Sequence, residues 1–373
     1  MLQQLQGGRN DEVLLDHEHV VLTSGRRSGI AIVVAVHSTR LGPALGGCRV
    51  WNYDGYVSGL RDALRLSSAM TLKCAVADLP TGGGKSVLAL EPGVVLEGRQ
   101  RRDALLDLGD VVEGLGGSYR TAEDVGTSGD DMVVVRERTA HVLGLPAANG
   151  GAGEPAEPTA EGVWSALLST VARLDGGGVA GRRFAVQGLG QVGSRVARRL
   201  ANEGAELVVT DVDPARQRLS DALGARWVRP EALLDEAVDV LVPAGVGGVL
   251  SSHSIPRLRC RAVVGPANNQ LASFQDAELL AERGILWAPD FVVNAGGALF
   301  AILADGDTRS DELRTRIEGI GMTLTRLYEQ ADLHSTTPLA AARSLAARRL
   351  ARAPEQTVPV AMPEGRFSGP AAP

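Results

Sequence analysis

The stretch Phe184-Ala-Val-Gln-Gly-Leu-Gly-Gln-Val-Gly193 joins a β-rich run to the start of a helix that the sequence predicts over residues 192–202. A second predicted strand, Leu207-Val-Val-Thr210, follows, and Asp211 stands directly after it, 23 residues beyond Gly188. In a strand–helix–strand unit of this kind, glycines allow a tight turn and let the backbone approach a pyrophosphate at the positive end of the helix. The pattern predicts a dinucleotide-binding domain.

The turn and the aspartate have expected roles at the cofactor. The carboxylate of Asp211 would accept hydrogen bonds from the adenosine ribose and repel a 2′-phosphate, so NAD is predicted in preference to NADP. The other residues expected to hold NAD at this turn are Gly188, Gly190, Gln191, Val192 and Gly193.

The residues after this unit continue the alternation of strands and helices. Further strands are predicted at residues 238–242, 262–264 and 284–287, with helical stretches between them. Such alternation indicates a doubly wound, parallel α/β sheet of the Rossmann type. A helical stretch rich in alanine, arginine and leucine is expected from about residue 311 to 353, followed by a flexible tail over residues 354–373.

A second α/β domain, with a mixed sheet, is predicted before the glycine- and proline-rich stretch 145–158, which marks a boundary. Its expected elements are a hairpin from the β-rich runs 20–22 and 30–36, a helix over 56–70, a strand at Cys74-Ala-Val-Ala77, a helix over 101–115 and a strand or loop over 118–124. We expect residues 1–148 plus 330–373 to form this substrate-binding and oligomerisation domain, and residues 149–329 to form the NAD-binding domain.

Lysine is almost absent from the chain. Among its 38 basic residues, only Lys73 and Lys85 are lysines, and both fall within Met70-Thr-Leu-Lys-Cys-Ala-Val-Ala-Asp-Leu-Pro-Thr-Gly-Gly-Gly-Lys-Ser86. Arginine cannot give up its proton in a protein, whereas lysine can. A chain that otherwise uses arginine is expected to keep lysine where arginine cannot serve. Both lysines are therefore predicted to be chemical groups, with chance survival on a solvated face as the alternative.

The stretch Gly82-Gly-Gly-Lys-Ser86 also invites comparison with the phosphate-binding loop of ATP-dependent enzymes. That loop needs a further glycine at the position of Leu79 and a strand–loop–helix context. Ser86-Val-Leu-Ala-Leu90 is β-rich instead. An ATP-dependent enzyme is therefore disfavoured.

The overall composition is typical of a globular protein that acts on small molecules. A net charge of −6 and the lack of a dense basic cluster argue against nucleic acid as a partner. No apolar run reaches the roughly 18 residues of a membrane helix, and the N-terminus lacks a signal pattern, so we expect a cytoplasmic location. The spacing of Cys48, Cys74 and Cys260 fits neither a disulfide framework nor a metal site, and no metal is expected.

Seven stretches stand in order along the chain: Leu41-Gly-Pro-Ala-Leu-Gly-Gly-Cys-Arg49, Met70 to Ser86, Thr121-Ala-Glu-Asp-Val-Gly126, Gly150-Gly-Ala-Gly-Glu-Pro155, Gly188 to Gly193, Ala267-Asn-Asn-Gln-Leu271 and Ala288-Pro-Asp-Phe-Val-Val-Asn-Ala-Gly-Gly297. Together they resemble the glutamate/leucine/phenylalanine/valine dehydrogenase family over nearly the whole chain. Members of that family oxidatively and reversibly deaminate an L-amino acid to a 2-oxo acid and ammonia with NAD(P)+. The resemblance implies a two-domain, NAD-dependent L-amino acid dehydrogenase.

The resemblance also implies how the substrate would be held. Lys73 would bind the substrate carboxylate. The backbone of Gly46 and Gly47 would help it, together with an asparagine of the pair Asn268 and Asn269.

Catalytic roles follow from the same resemblance. Lys85 would activate the water that attacks the imino acid. Asp124 would move protons to and from the amino group, although its sequence context alone is more typical of a cap or turn residue. Asn294 would help to line the substrate site, and Thr159 would meet the nicotinamide end of the cofactor.

The side-chain pocket of the family is lined by the positions of Ala298 and Ala301. Leucine- and valine-type members carry valine at the position of Ala298. The smaller alanine leaves more room in the pocket, which favours a substrate with a larger side chain. The phenylalanine type is most similar in two stretches, Met70-Thr-Leu-Lys73 and Leu79-Pro-Thr-Gly-Gly-Gly-Lys-Ser86, whereas Ala122 matches the leucine type. Leu41 at the pocket mouth and the lack of a further lysine disfavour glutamate. An aromatic amino acid is expected first, and leucine or valine next.

A non-catalytic regulator of the same fold that binds NAD or an amino acid is the alternative. The presence of both lysines together with Asp124 argues against it. Family members are symmetric oligomers, so a homo-oligomer is expected. The expected partners are an amino acid, its 2-oxo acid and ammonia, without nucleic acid or membrane.

Overall fold

The computed structural model describes residues 16–304 and 310–353, and these form two compact units. The first unit contains residues 16–71 and 80–153, and the second contains residues 72–79 and 154–352. The predicted α/β fold with two domains is confirmed. The predicted tail lies outside the described residues.

A five-stranded mixed sheet forms the centre of the first unit. The elements, in chain order, are β1 (His19–Ser24), β2 (Ala31–Ser38), β3 (Ala44–Asn52), α1 (Tyr56–Val76), β4 (Gly82–Leu90), α2 (Gly98–Glu113), β5 (Tyr119–Glu123) and α3 (Gly129–Arg136). The strand order is β1-β2-β4-β3-β5. Strand β2 pairs antiparallel with β1 and β4, which confirms the predicted hairpin, whereas β3 pairs parallel with β4 and β5.

Both faces of this sheet are covered because successive strand side chains point to opposite sides. On one face, Val33 packs in a cluster with Ala63 of α1. On the other, Val34 belongs to the core that contains Leu108 of α2. All nine residues of β4 are buried. Lys85 therefore lies within a covered strand, and the stretch around it has no phosphate-binding loop.

A six-stranded parallel sheet forms the centre of the second unit. The elements, in chain order, are α4 (Ala156–Asp175), β6 (Arg183–Gln187), α5 (Gln191–Asn202), β7 (Glu206–Thr210), α6 (Gln217–Ala222), β8 (Arg226–Trp227), β9 (Val240–Pro243), β10 (Ala262–Val263), α7 (Asp276–Glu282), β11 (Leu286–Trp287), α8 (Asp290–Val293), α9 (Gly296–Leu303), α10 (Ser310–Leu333) and α11 (Pro338–Arg352). The strand order is β8-β7-β6-β9-β10-β11. Numbered within the sheet, this is 3-2-1-4-5-6, the order of a Rossmann dinucleotide-binding fold.

The structure differs from the predicted organisation in two places. Cys74-Ala-Val-Ala77 is not a strand, because Cys74, Ala75 and Val76 are buried and continue the apolar stripe of α1 to its end. Residues 330–352 belong to the second unit rather than the first. The reason is that α11 packs on α10, which itself packs along α4.

Three further features of the described residues bear on function. None of their helices combines the length and apolar character needed to cross a bilayer. Within them, no group of three or more histidine, cysteine or acidic side chains could hold a metal ion. The three cysteines are free thiols, and burial raises the pKa of Cys48 to about 12.

Candidate active site

The first unit contains a buried ion pair between Lys85 and Asp124. Lys85 lies on β4 and is 4% exposed, whereas Asp124 directly follows β5. Lys85 Nζ lies 2.8 Å from Asp124 Oδ2. The two strands are the neighbours of β3 on either side, which brings together residues that are 39 positions apart in the sequence. The structure thus joins the two residues predicted as catalytic groups.

Arg49 of β3 is a second cation on the same carboxylate. Its Nε donates to Asp124 Oδ2 at 3.0 Å, and its Nη1 donates to Asp62 Oδ2 at 2.9 Å. Tyr53 also donates to Asp62 Oδ2, at 2.7 Å. Burial acts to raise the pKa of Asp124, but the positive charges of Lys85 and Arg49 outweigh it and lower this pKa to about 2. Asp124 is therefore ionised at neutral pH.

Replacing Arg49 by methionine is expected to destabilise the protein in a pH-dependent way. The pKa of Asp124 is lowered from 3.8 to about 2, so its ion pairs stabilise the fold above pH 3.8 and are lost as the pH falls toward about 2. Removing one partner of such a buried pair costs about 3 kcal/mol at neutral pH. Urea unfolding over a series of pH values should show this cost shrinking between pH 3.8 and about 2. A cost that stays constant over that range would contradict the prediction.

The exposed Arg65 provides the matched control for this measurement. It contacts Asp62 Oδ1 at 2.9 Å and is 53% exposed. Arg65→Met should change the free energy of unfolding by less than about 1 kcal/mol because exposed ion pairs contribute little.

Glycine is required at positions 46 and 47 because the backbones beside the ion pair approach closely. A Cβ on Gly47 would lie 2.8 Å from the Cβ of Asp124, and a Cβ on Gly46 would lie 1.9 Å from the carbonyl oxygen of Gly84. Tyr119 donates its hydroxyl to the carbonyl of Gly46 at 2.7 Å. The predicted Gly-Gly pair thus lies against the ion pair of Lys85 and Asp124, and any side chain there would displace it.

Lys73 lies in the last turn of α1, which belongs to the second unit. Its Nζ donates to Asn268 Oδ1 at 3.2 Å, and Asn294 Nδ2 donates to the same oxygen at 2.8 Å. The Oδ1 of Asn294 is buried and has no donor among the described residues. Three predicted substrate residues therefore form one cluster with an acceptor that a bound donor would satisfy.

Asp290 binds the backbone of the loop that carries Asn268. Its Oδ2 accepts a hydrogen bond from the backbone N–H of Gln270 at 2.9 Å, next to Asn269, whose φ of 52° lies in the left-handed region. Burial raises the pKa of Asp290, against the opposing effect of these backbone donors. Neither Asp290 nor Arg49 has a role predicted from the sequence, although Asp290 lies within the stretch 288–297 and Arg49 within the stretch 41–49.

The turn after β6 fits a dinucleotide. A Cβ on Gly193 would lie 2.1 Å from the carbonyl oxygen of Gly188, so only glycine lets α5 pack this closely. Helix α5 begins at Gln191, and no side chain caps its N-terminus, as an anion-binding helix end requires. Asp211 Oδ2 accepts a hydrogen bond from the backbone N–H of Leu189 at 2.6 Å, which ties the end of β7 to the turn. The residues predicted for the pyrophosphate and ribose of NAD are thus together, with Gly190 and Val192 beside them.

The remaining predicted residues fall in both units. Thr159 lies in the first turn of α4, where its Oγ1 would be 2.7 Å from a Cβ on Gly297. Ala298 and Ala301 are half-buried on α9 and share a face because they are three residues apart. Leu41 is half-buried in the first unit.

Family models match most of the chain. The Glu/Leu/Phe/Val dehydrogenase dimerisation domain matches residues 12–141, and the glutamate/leucine/phenylalanine/valine dehydrogenase model matches residues 211–357. The NAD binding domain of D-isomer specific 2-hydroxyacid dehydrogenases matches residues 152–244.

Individual relatives agree with these models. A leucine dehydrogenase of Thermoactinomyces intermedius is 36% identical over 341 residues, which cover 90% of this chain and 91% of the relative. A phenylalanine dehydrogenase of Bacillus thermotolerans is 36% identical over 346 residues, or 91% and 90% of the two chains. The crystal structure of L-tryptophan dehydrogenase from Nostoc punctiforme has a TM-score of 0.75 at 34% identity and covers 91% of this chain and 96% of that one. The chain belongs to the glutamate/leucine/phenylalanine/valine dehydrogenase family and is an NAD-dependent amino acid dehydrogenase.

Proposed function

We propose that the protein catalyses the reversible, NAD-dependent oxidative deamination of a hydrophobic L-amino acid to its 2-oxo acid and ammonia. The observation that carries the proposal is the buried pair of Lys85 and Asp124, with 2.8 Å between Nζ and Oδ2. It places an amine and an ionised carboxylate together in a chain that has only two lysines. Similarity to a leucine, a phenylalanine and a tryptophan dehydrogenase supports the substrate class.

In this proposal, the first half of the reaction depends on Lys73 and Asp124. Lys73 and Asn268 bind the substrate carboxylate and orient the Cα, with the backbone of Gly46 and Gly47 contributing donors. Asp124 accepts a proton from the substrate ammonium, so the nitrogen lone pair can form the C=N bond as hydride leaves the Cα. Bound NAD supplies the hydride acceptor.

The second half depends on Lys85. Once its ammonium has released a proton to solvent, the neutral Nζ takes a proton from the water that attacks the imino carbon, which gives a tetrahedral carbinolamine. Asp124 returns its proton to the nitrogen, and ammonia departs as the carbinolamine hydroxyl releases its proton to solvent and the C=O bond forms. Because the two groups are paired at 2.8 Å, a proton can pass between them as the roles change.

For the substrate, we propose an aromatic amino acid first and leucine or valine next. The small side chains of Ala298 and Ala301 on one face of α9 support this preference. Ala298→Val should lower kcat/KM for phenylalanine relative to leucine by about tenfold, since two added methyl groups narrow the pocket. Steady-state kinetics with both amino acids measure the ratio. The KM for NAD serves as the control, and an unchanged ratio would remove Ala298 from the pocket.

The reaction itself is tested by measuring NADH absorbance at alkaline pH after the purified protein is mixed with NAD and one amino acid. The five amino acids tested in turn are phenylalanine, tryptophan, leucine, valine and glutamate. NADH formation with a hydrophobic amino acid supports the proposal, and a higher kcat/KM for valine or leucine than for phenylalanine would overturn the aromatic preference. NAD binding without turnover on any of the five would favour the non-catalytic regulator.

We also propose that the protein is a homo-oligomer. Strand β1 is an edge of the first sheet and carries the exposed Leu22, and the family model that matches this region describes a dimerisation domain. An open edge offers backbone groups to a second copy. Light scattering on the purified protein tests this, and a monomeric mass would refute it. A cytoplasmic location stays a prediction.

A further inference from the structure

Helix α1 ends in an unusual way immediately after Lys73. The backbone N–H of Leu79 donates to the carbonyl of Cys74 at 3.0 Å, and that of Asp78 donates to the carbonyl of Ala75 at 3.3 Å. This is the hydrogen-bond pattern of a helix end that normally carries glycine at the left-handed position. Here the position holds Asp78, with a φ of 56°. A conformation that disfavours non-glycine residues persists only if its surroundings hold it.

Two arginines from the last two helices supply that support. Arg316 of α10 donates through Nη2 to the carbonyls of Ala77 and Asp78, at 3.0 and 2.9 Å. Arg349 of α11 donates through Nη1 to the carbonyls of Ala75 and Val76, at 2.7 and 2.6 Å. The last carbonyls of a helix have no partners within the helix and carry its partial negative charge. Two cations therefore donate to four consecutive carbonyls, those of the last two residues of α1 and of the two residues that follow it.

Apolar packing alone does not hold this helix end. A cavity of about 260 Å³ lies against it, lined in part by Val76, Ala77, Leu299 and both arginines. Side chains that border a cavity lack contact partners on that side. On that side, the four hydrogen bonds of the arginines hold the last turn of α1.

The last turn of α1 carries Lys73. The carbonyl of Lys73 accepts a hydrogen bond from the backbone N–H of Ala77 at 2.9 Å. Ala77, which Arg316 binds, is therefore directly linked to Lys73. The buried Cys74 fixes the rotation of the helix about its axis. A shift of the helix end would move the Lys73 ammonium away from Asn268, to which it donates at 3.2 Å.

We propose that Arg316 and Arg349 are positioning residues that hold the Lys73 ammonium in place for the substrate carboxylate. This inference rests on the proposed function, in which Lys73 binds that carboxylate. The arginines act through the backbone of residues 75–78. Arg316 is 239 residues from Ala77 in the sequence, and Arg349 is 274 residues from Ala75.

The test compares Arg316→Met and Arg349→Met with Arg352→Met in the full-length enzyme. Arg352 is exposed in the last turn of α11 and serves as the matched control. We expect the two test variants to raise the KM for the amino acid by about tenfold or more, because small displacements of a binding group have large effects. The KM for NAD should not change. The Ki of a carboxylic acid that has the substrate side chain but no amino group should rise by the same factor.

A different pattern would overturn the inference. If both test variants lower the melting temperature or the active fraction but leave the amino acid KM and this Ki unchanged, the arginines only cap the helix. If the methionine variants fail to fold, Arg349→Lys decides, because lysine keeps the charge but cannot bridge two carbonyls as a planar guanidinium does. It should raise the KM, and an unchanged KM would refute the proposal.

Lys73→Met separates this inference from the function on which it rests. A large rise in the amino acid KM for Lys73→Met, without one for the arginine variants, would refute the positioning role alone. An unchanged KM for Lys73→Met would instead refute the carboxylate role of Lys73.

Discussion

Lys85→Arg is expected to lower kcat by roughly 10³-fold while NAD affinity stays unchanged. Arginine keeps the positive charge beside Asp124 but cannot release a proton, so the variant removes the base and retains the ion pair. Proton transfer by a positioned side chain contributes about 10²- to 10⁴-fold to the rate. The predicted cofactor residues are in the second unit, whereas Lys85 lies on β4 of the first, so NAD binding reports on an independent part of the chain.

Stopped-flow and steady-state kinetics, with NAD binding measured by calorimetry, check this result. The matched control is the same substitution at the other lysine. Lys73→Arg should raise the amino acid KM more than it lowers kcat, because binding a carboxylate needs a cation but no proton transfer. Since Lys85 is 4% exposed, a melting curve must show that the arginine fits. If it does not fit, Lys85→Met tests the same role without added bulk. A Lys85→Arg enzyme that keeps most of its turnover would refute the assignment.

The sequence was sufficient for the features that depend on neighbours along the chain. The glycine turn, α5, β7 and Asp211 lie within one short stretch, and each has a local requirement that the pattern displays. The lysines could be found for a different reason. In a chain that otherwise uses arginine, the two lysines indicate positions where arginine cannot serve. This inference does not depend on where the fold places them.

Features that depend on distant contacts could not be predicted. Arg49 reaches Asp124 across 75 residues, and it bridges two carboxylates that no local pattern connects. The run after Lys73 is short and apolar, which fits a strand or a buried helix equally well. The burial of Cys74 and the arginines that bind the end of α1 favour the helix over the strand.

Asp124→Asn is expected to lower kcat by roughly 10²- to 10³-fold, because the amide has nearly the same shape but cannot accept the ammonium proton. The variant also leaves Lys85 and Arg49 without the carboxylate they share, so some loss of stability will accompany the loss of rate. A low rate by itself would not separate the two effects.

Asp62→Asn separates them. Asp62 is 15% exposed and is bound by the same Arg49, through Nη1 rather than the Nε that binds Asp124. Removing its charge should therefore disturb Arg49 and lower the melting temperature by a similar amount. It leaves the carboxylate beside Lys85 intact, so kcat should stay within about tenfold of the wild-type value. If Asp62→Asn lowers kcat as much as Asp124→Asn, the carboxylate of Asp124 acts only by holding the cations in place. If kcat falls only in Asp124→Asn, the carboxylate of Asp124 takes part in the proton transfer itself.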